Sequence, residues 1–459
     1  MTGVQTCALP ISRDKIAVDN KEAIKLAINA GIDMSMIPYE FERFCQNLVA
    51  LVKEGEAKES RVDDAVRRIL KMKMKLGLWE NPVTRIDDYP EFASEKSARE
   101  AYQAAAEAIT LLKNENNMLP LSKSTKILVT GPNANSMRVL NGGWTYSWQG
   151  EKTDHYAQQY NTILEAIQHK VGAVNVKYVP GVSYVEGGHY YVDKEDRFGE
   201  AIRQAKNVDV VVLCLGENSY TEKPGDLNDL TLSHNQLNLA KELAKTGKPV
   251  VMVLSEGRPR CISAIEPLMA GIVLTYLPGN YGGDALADIL FGDVNPSGKL
   301  PYTYPSYPNS LVTYYHKPAE EQKRAEGAYI YESDYNPQYE FGFGLNYTSF
   351  EYSNLRISSE TIDKNKPVEI FVDIMNTGSR SGKEVVMLYT SDLYASITPD
   401  VKRLRRFTKI ELEPGEKKTV KFELNARDLA FITPDGKWVT EPGDFEIKTG
   451  SLKQTIKYE

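Results

Sequence analysis

The chain of 459 residues is 42% hydrophobic and 25% charged, an ordinary globular composition at a length that corresponds to about three domains. Its net charge of −7 argues against a nucleic-acid partner, which would require a basic patch or stripe, and no run is long and apolar enough to span a membrane. Cysteine usage gives neither a disulfide framework nor a zinc site, because Cys7 lies in an aberrant opening and Cys45, Cys214 and Cys261 are odd in number and lack C-x-x-C spacing.

The opening MTGVQTCALPIS, residues 1–12, has neither the basic n-region of a secretory signal nor a lipoprotein context at Cys7. Back-translated from a GTG start it resembles a sequencing adapter, so the expectation is an artefact joined to the later part of a longer gene. Residues 13–80 read as a helix at Lys21–Ala30, a strand-like run at Ile32–Met36, and a helix opened by a capping box at Ser60-Arg61-Val62-Asp63. That last helix carries Val62, Val66, Ile69 and Leu76 at helical spacing and stops at Gly77. Three such elements bury too little to stand alone, which marks the stretch as the end of a larger domain. Residues 81–105 read as a linker, leading into an Ala-rich helix at Ala101–Leu112.

From 106 to 320, apolar runs recur at Lys126–Thr130, Asn175–Val179, Asp209–Leu215, Pro249–Leu254 and Gly271–Tyr276, separated by helix-like stretches at Ala201–Lys206, Ser233–Lys245 and Gly283–Leu290. Continuous rather than alternating apolar strands predict a largely parallel sheet covered on both faces, an α/β sandwich. Residues 321–354 read as a second linker. From 355 to 459 the period changes to two, as in Val368, Ile370, Val372, Ile374 and in Val420, Phe422, Leu424, with turns at Asn376-Thr377-Gly378 and Pro414-Gly415. That pattern predicts an immunoglobulin-like β-sandwich.

Ligands of open parallel sheets sit beyond the carboxyl ends of strands. The run Asp209–Leu215 is followed there by GENSYTEKPGD, residues 216–226, in which Glu217, Glu222 and Asp226 supply carboxyl groups. A pair of carboxyl groups serves glycosidic bond cleavage, one protonating the leaving oxygen and the other attacking or activating water; a solvated, charged loop has the same composition. The stretch GGWTYSWQG, residues 142–150, holds Trp144 and Trp148, whose indoles suit either core packing or stacking on a sugar ring. The turn Gly131–Asn135 follows a strand but matches neither G-x-G-x-x-G nor a Walker A loop. The five histidines lack metal-ligand spacing, and G-x-S-x-G is absent. No metal and no cofactor are implied.

Taken together, AGIDMSM (30–36), LLKNE (111–115), GGWTYSWQG, GENSYTEKPGD, LPGNYGGDALADILFGDVNPSGKLPYTYP (277–305), FGFGLNYTSFEYSNL (341–355), NTGSRSGKEVV (376–386) and EPGDFEI (441–447) resemble glycoside hydrolase family 3, in its β-glucosidase branch with a C-terminal fibronectin type III-like domain. The resemblance runs from residue 13 to 459. It implies a retaining exo-acting β-glucosidase acting on terminal β-D-glucosyl units of oligosaccharides, with residues 13–80 the remnant of a (β/α)8 barrel. Aligned on Gly225-Asp226, the family's general acid/base falls at Glu222, with Glu217 the second choice. Trp144, Trp148 and Asp226 are the implied substrate contacts, Trp148 the better-placed aromatic face, and Asp33 resembles a structural barrel Asp. The family's nucleophile, an Asp in a Ser-Asp-Trp-like context, has no counterpart here, so the expectation is a C-terminal portion inactive by itself. A β-xylosidase of the same family and a non-catalytic carbohydrate-binding fragment are the alternatives. The implied partner is an oligosaccharide or β-glucoside, and the implied location is periplasmic or secreted.

Overall fold

The computed structural model describes residues 15–37, 39–321, 333–364 and 366–459, so the twelve-residue opening lies outside the described residues. Two compact units divide at Ser94/Glu95. No described helix is long and apolar enough to cross a membrane.

The first unit holds three helices, Asn20–Asn29, Phe41–Lys53 and Glu59–Lys75. Asp19 caps the first by accepting the Glu22 amide at 2.8 Å. The expected capping box at Ser60–Asp63 does not form: the third helix starts a residue earlier, its N-cap is Lys58, and no side chain caps it. Ser60 therefore sits inside the first turn, where its hydroxyl is past the cap position. Gly77, at φ +67°, does end that helix. Residues Ile32–Met36 form no strand, since no described neighbour offers a ladder to pair with. Asp33 instead accepts the Arg61 guanidinium at 2.6 Å, and Arg61 also donates to the Ile28 carbonyl. The helix Phe41–Lys53 was not anticipated. The buried core of this unit is small, consisting of Ile24, Ile28, Leu51, Ala57 and Ala65, while Phe41, Val49, Leu70, Met74 and Trp79 are exposed.

The second unit begins with the helix Glu95–Ala108, inside the stretch read as linker. The expected continuation of this helix to Leu112 gives way to strand β1, Thr110–Asn114, which runs antiparallel beside β8, Gly271–Leu274. Leu111 and Leu112 enter opposite core layers, a demand that a strand satisfies and one helical face does not. The other sheet members are β2 (Ile127–Thr130), β3 (Val176–Tyr178), β6 (Val210–Gly216) and β7 (Val250–Ser255), all parallel, in the order β1-β8-β7-β6-β2-β3. An antiparallel hairpin, β4 (Gly181–Tyr184) with β5 (Asp193–Asp196), lies outside that sheet.

Every residue of β6 and β7 is buried. Val210, Val212, Cys214, Val251 and Val253 face one layer with Ile163, Ile167, Leu286 and Ile289 from two helices. Val211, Leu213, Leu215, Met252 and Leu254 face the other with Leu239, Leu243 and Ile262. This two-sided burial is the physical reason the strands read as unbroken apolar runs.

Residues 333–347, read as linker, pack back on the sandwich. Phe343 and Leu111 accept the amides of Leu300 and Leu345 at 2.8 Å each, and a Cβ on Gly344 would lie 2.2 Å from the Gly298 carbonyl oxygen. Beyond them, β11 (Phe350–Ile357), β13 (Val368–Asn376) and β16 (Lys417–Leu424) form one sheet. A second sheet runs β12 (Thr361–Ile362), β20 (Leu452–Tyr458), β19 (Gly443–Thr449), β14 (Gly382–Asp392), β15 (Arg403–Leu412). Alternate residues of β13 and β16 are buried between the sheets, as the period of two requires.

Segments with few buried apolar contacts open most readily. Amide hydrogen exchange should be faster across the three helices of the first unit than in β2, β6 and β7; equal protection would show those helices to be a complete cooperative unit.

Candidate active site

The carboxyl ends of β6 and β7 each release a loop, 217–226 and 256–261. Gly216 is obligatory at the first exit: its φ is +135°, and a Cβ there would sit 2.0 Å from the Ser255 carbonyl oxygen. Asn133, in the turn weighed as a nucleotide loop, is a structural clasp. Its amide donates to the carbonyls of Leu215 at 3.1 Å and Ser255 at 3.0 Å, and its oxygen accepts from the Tyr184 hydroxyl.

The two glutamates of the first loop occupy opposite environments. Glu217 is 3% exposed. One oxygen accepts from Arg260 at 2.9 Å and lies 3.1 Å from the Arg258 Nε; the other accepts from the Tyr220 hydroxyl at 2.9 Å and from the Gly257 amide at 3.2 Å. Every lone pair facing the protein is committed, so Glu217 is built as a structural anchor. Glu222 is exposed, and its side chain makes no hydrogen bond or ion pair among the described residues. Its backbone is held at φ +53°, ψ −153°, a conformation that costs a non-glycine residue about 1–3 kcal/mol and persists only where the surroundings enforce it.

The enforcing groups are on the second loop. Arg258 spans the acid loop: its Nε donates to the Tyr220 hydroxyl at 2.8 Å, one amino group donates to the Gly225 carbonyl at 2.7 Å, and its guanidinium lies 3.9 Å over the Tyr220 ring. Tyr190 adds a second donor to the Gly225 carbonyl at 2.9 Å. A Cβ on Gly225 would meet the Tyr220 ring at 2.4 Å.

The tryptophan loop is joined to the same segment. Gln149 donates to the Thr221 carbonyl at 3.1 Å and accepts the Thr221 amide at 3.0 Å, and the Ser219 hydroxyl donates to the Gln149 carbonyl. A Cβ on Gly143 would approach Thr221 Cβ to 2.7 Å, so glycine is what lets the loops touch. Trp144, at φ +56°, donates its amide to the Trp148 carbonyl at 2.9 Å. The two indoles are 66% and 47% exposed and so free to meet a ligand. Asp226 is placed differently: it lines a cleft of about 370 Å³ with Tyr184, Tyr190, Glu217 and Arg260, whose walls include neither tryptophan nor Glu222. Among the described residues, no group of three or more His, Cys, Asp or Glu is placed to hold a metal ion. His316, buried, hydrogen bonds to Thr313 and Glu321 and stacks on Tyr335.

Sequence reasoning passed over Glu256, Arg258 and Arg260. Their signal was available in Ser255-Glu256-Gly257-Arg258-Pro259-Arg260, a charged loop at the carboxyl end of the neighbouring strand. Glu256 is fully buried, and burial, with the nearby Glu217 adding, pushes its carboxyl up to about 8 against hydrogen bonds that pull it down. The Tyr304 hydroxyl lies 2.8 Å from Glu256 Oε1 and 2.7 Å from the Arg260 carbonyl, and the buried Oε2 has no hydrogen-bond partner among the described residues.

A carboxyl whose folded value is raised from 4.5 to about 8 stays protonated in the fold while the unfolded chain ionises, so its contribution falls as pH rises between those values and levels off above. Relative to Glu256→Gln, the parent should lose a few kcal/mol between pH 4.5 and 8, at about 1.4 kcal/mol per unit, measured by urea unfolding of the second unit. A difference flat across that range would mean Glu256 is ionised in the fold.

The chain is 39% identical over 94% of its length to the lysosomal beta glucosidase of Dictyostelium discoideum, 34% over 96% to the periplasmic beta-glucosidase of Salmonella typhimurium, and 37% over 95% to a beta-xylosidase of Formosa agariphila. It spans 53% of the first of these relatives and 60% of each of the others. The crystal structure of a beta-glucosidase from Listeria innocua in complex with isofagomine superposes with a TM-score of 0.79 at 29% identity, over 98% of this chain and 62% of that one. Residues 384–453 match the fibronectin type III-like domain and residues 6–72 the glycosyl hydrolase family 3 N terminal domain. Residues 109–347, more than half the chain, match the glycosyl hydrolase family 3 C-terminal domain, and the chain belongs to glycosyl hydrolase family 3.

Proposed function

We propose that this chain carries the acid/base half of a retaining, exo-acting β-glucosidase site, with Glu222 as the general acid/base and Trp148, with Trp144, as the aromatic wall for the sugar beyond the scissile bond. The supporting observation is the division of labour within one loop. Glu217 is bound on both oxygens by Arg258, Arg260 and Tyr220, whereas Glu222 is exposed, uncommitted and fixed in position beside the tryptophan loop. A proton donor to a leaving oxygen needs a carboxyl group within hydrogen-bond reach of that oxygen. Glu217, 3% exposed and bound on both oxygens, presents none to solvent.

The retaining reaction also needs a nucleophilic carboxylate about 5–5.5 Å from the acid. No Ser-Asp-Trp segment precedes Ala30-Gly31-Ile32-Asp33-Met34 in the sequence, so on this reading the nucleophile is supplied from outside these 459 residues, as is most of the pocket that selects the sugar. In the first step Glu222 protonates the departing oxygen while the nucleophile forms the glycosyl-enzyme; in the second Glu222, now a base, takes a proton from the attacking water. Asp226, on its separate cleft, remains a candidate sugar contact by alignment alone. A β-xylosidase activity is the second reading, favoured by the relative of that name from Formosa agariphila at 37% identity. A periplasmic or secreted location is in keeping with the periplasmic relative from Salmonella typhimurium.

By itself the chain should not hydrolyse aryl β-glucosides. In the intact enzyme containing these residues, Glu222→Ala should slow substrates with poor leaving groups by roughly 10²–10⁴-fold, the usual worth of general acid help. Activated aryl glucosides should lose less in the first step, and added azide should rescue the second. If Glu217→Ala gives the azide rescue and Glu222→Ala does not, the two roles must be exchanged. Parallel assays with aryl β-xylosides separate the two sugar readings.

A further inference from the structure

Between the edge of the second β-sheet and the hairpin of β17 (Phe431–Ile432) and β18 (Trp438–Val439) lies a cavity of about 240 Å³. Its walls include Asp392 and Thr390 from β14, Arg403 and Arg405 from β15, the turn Thr398–Asp400, and the rings of Phe431 and Trp438. The volume is below the roughly 300–1,000 Å³ of sites for drug-sized ligands, which sets the occupant at the size of one sugar ring.

The charges in this cavity are unequally satisfied. Asp400 is held by both Lys317 at 2.8 Å and Arg403 at 2.5 Å, and Arg403 rests 4.8 Å over the Tyr315 ring. Arg405 donates its Nε to the Thr390 hydroxyl at 2.9 Å. Among the described residues no carboxylate lies within ion-pairing distance of it, and its outer amino groups have no hydrogen-bond partner. Burial, reinforced by the like charge of Arg403 and opposed by the more distant charges of Asp428 and Asp400, depresses its proton affinity. A half-buried guanidinium without a direct ion pair is costly, and its planar fork matches a carboxylate bidentately. Asp392 keeps an acceptor available: its side chain accepts the Tyr394 amide at 3.2 Å and, among the described residues, pairs with no cation. Trp438 is 60% exposed, offering an indole face of the kind that stacks on a pyranose ring. The cavity therefore combines a fork for an anion, an acceptor for hydroxyl groups and an aromatic platform.

We propose that this cavity binds a carboxylated pyranose, a uronosyl unit, its carboxylate on Arg405, its hydroxyls on Asp392 and its ring against Trp438. The site belongs to the β-sandwich and is independent of the role given to Glu222.

The test is a titration of the 459-residue chain with methyl β-D-glucuronide, followed by calorimetry and by indole fluorescence, with methyl β-D-glucoside, acetate and inorganic phosphate as comparators. The expected result is saturable glucuronide binding, weakened tenfold or more by Arg405→Gln and likewise by Trp438→Ala, and weakened by added salt. The glucoside should bind at least tenfold less tightly. Because Trp438 is exposed, its truncation leaves the fold intact even if the arginine variant is unstable. Failure of glucuronide to saturate would overturn the proposal, as would undiminished binding by the Trp438 variant. Acetate or phosphate competing as strongly as glucuronide would reduce the cavity to a bare anion site and overturn the sugar assignment.

Discussion

Most of the site's geometry depends on the burial of Glu217 between Arg258 and Arg260. A carboxylate taken out of water costs several kcal/mol and is tolerated only where opposing charges and hydrogen bonds surround it. Here they come from the loop after the neighbouring strand, so the exits of β6 and β7 cannot move independently. With Arg258 drawn in by Glu217, its Nε also donates to the Tyr220 hydroxyl and an amino group reaches the Gly225 carbonyl. The segment between those two points carries Glu222. The strained backbone at Glu222 is thus maintained by an ion pair five residues away in the same loop, and the tryptophan loop joins the assembly through Gln149.

The sheet was legible because two-sided burial writes itself into sequence as apolar runs, and β2, β6, β7 and β8 fall where those runs lie. The β-sandwich was legible because one-sided burial writes a period of two. Junctions were harder. At Ile109–Leu112 a local helical preference competes with a pairing partner more than 150 residues away in Gly271–Leu274, and only the folded chain reveals that partner. Residues Ile32–Met36 show the converse: a strand-like composition forms no strand where nothing described pairs with it. The helix Phe41–Lys53 was missed because it opens at Glu40, which offers no side-chain cap.

Within the site, position was legible and role was only partly so. The rule that ligands gather at strand carboxyl ends pointed to 216–226, and the resemblance ranked Glu222 above Glu217. Composition cannot separate two glutamates five residues apart, since the difference lies in what surrounds them: Arg258 and Arg260, on the loop after the next strand, enclose one and leave the other open. The same separation hides Glu256, whose carboxyl is pushed up by burial and by the nearby Glu217 rather than by anything adjacent in sequence. Two carboxyl groups at adjoining strand ends thus differ in partners through packing alone.

The attachment of the β-sandwich follows a similar logic at larger scale. Glu107, at the end of the helix Glu95–Ala108, receives Lys383 from β14 at 2.5 Å and Lys409 from β15 at 3.2 Å. Although burial opposes it, the hydrogen bonds from Lys383, Gln103 and Lys409 hold its carboxyl down at about 2, so the triad persists as an ion cluster across the range in which the unfolded carboxyl would titrate. Close backbone approach supplies the rest: a Cβ on Gly382 would meet Thr348, Asn295 and Asn346 within 3.0 Å, and Asn295 donates to the Ser381 carbonyl. Charge pairing sets which faces meet, and the glycine lets them close to contact. The β-sandwich is therefore held against the α/β layers as part of one compact unit, so the cavity beside β14 and β15 and the acid loop belong to the same unit.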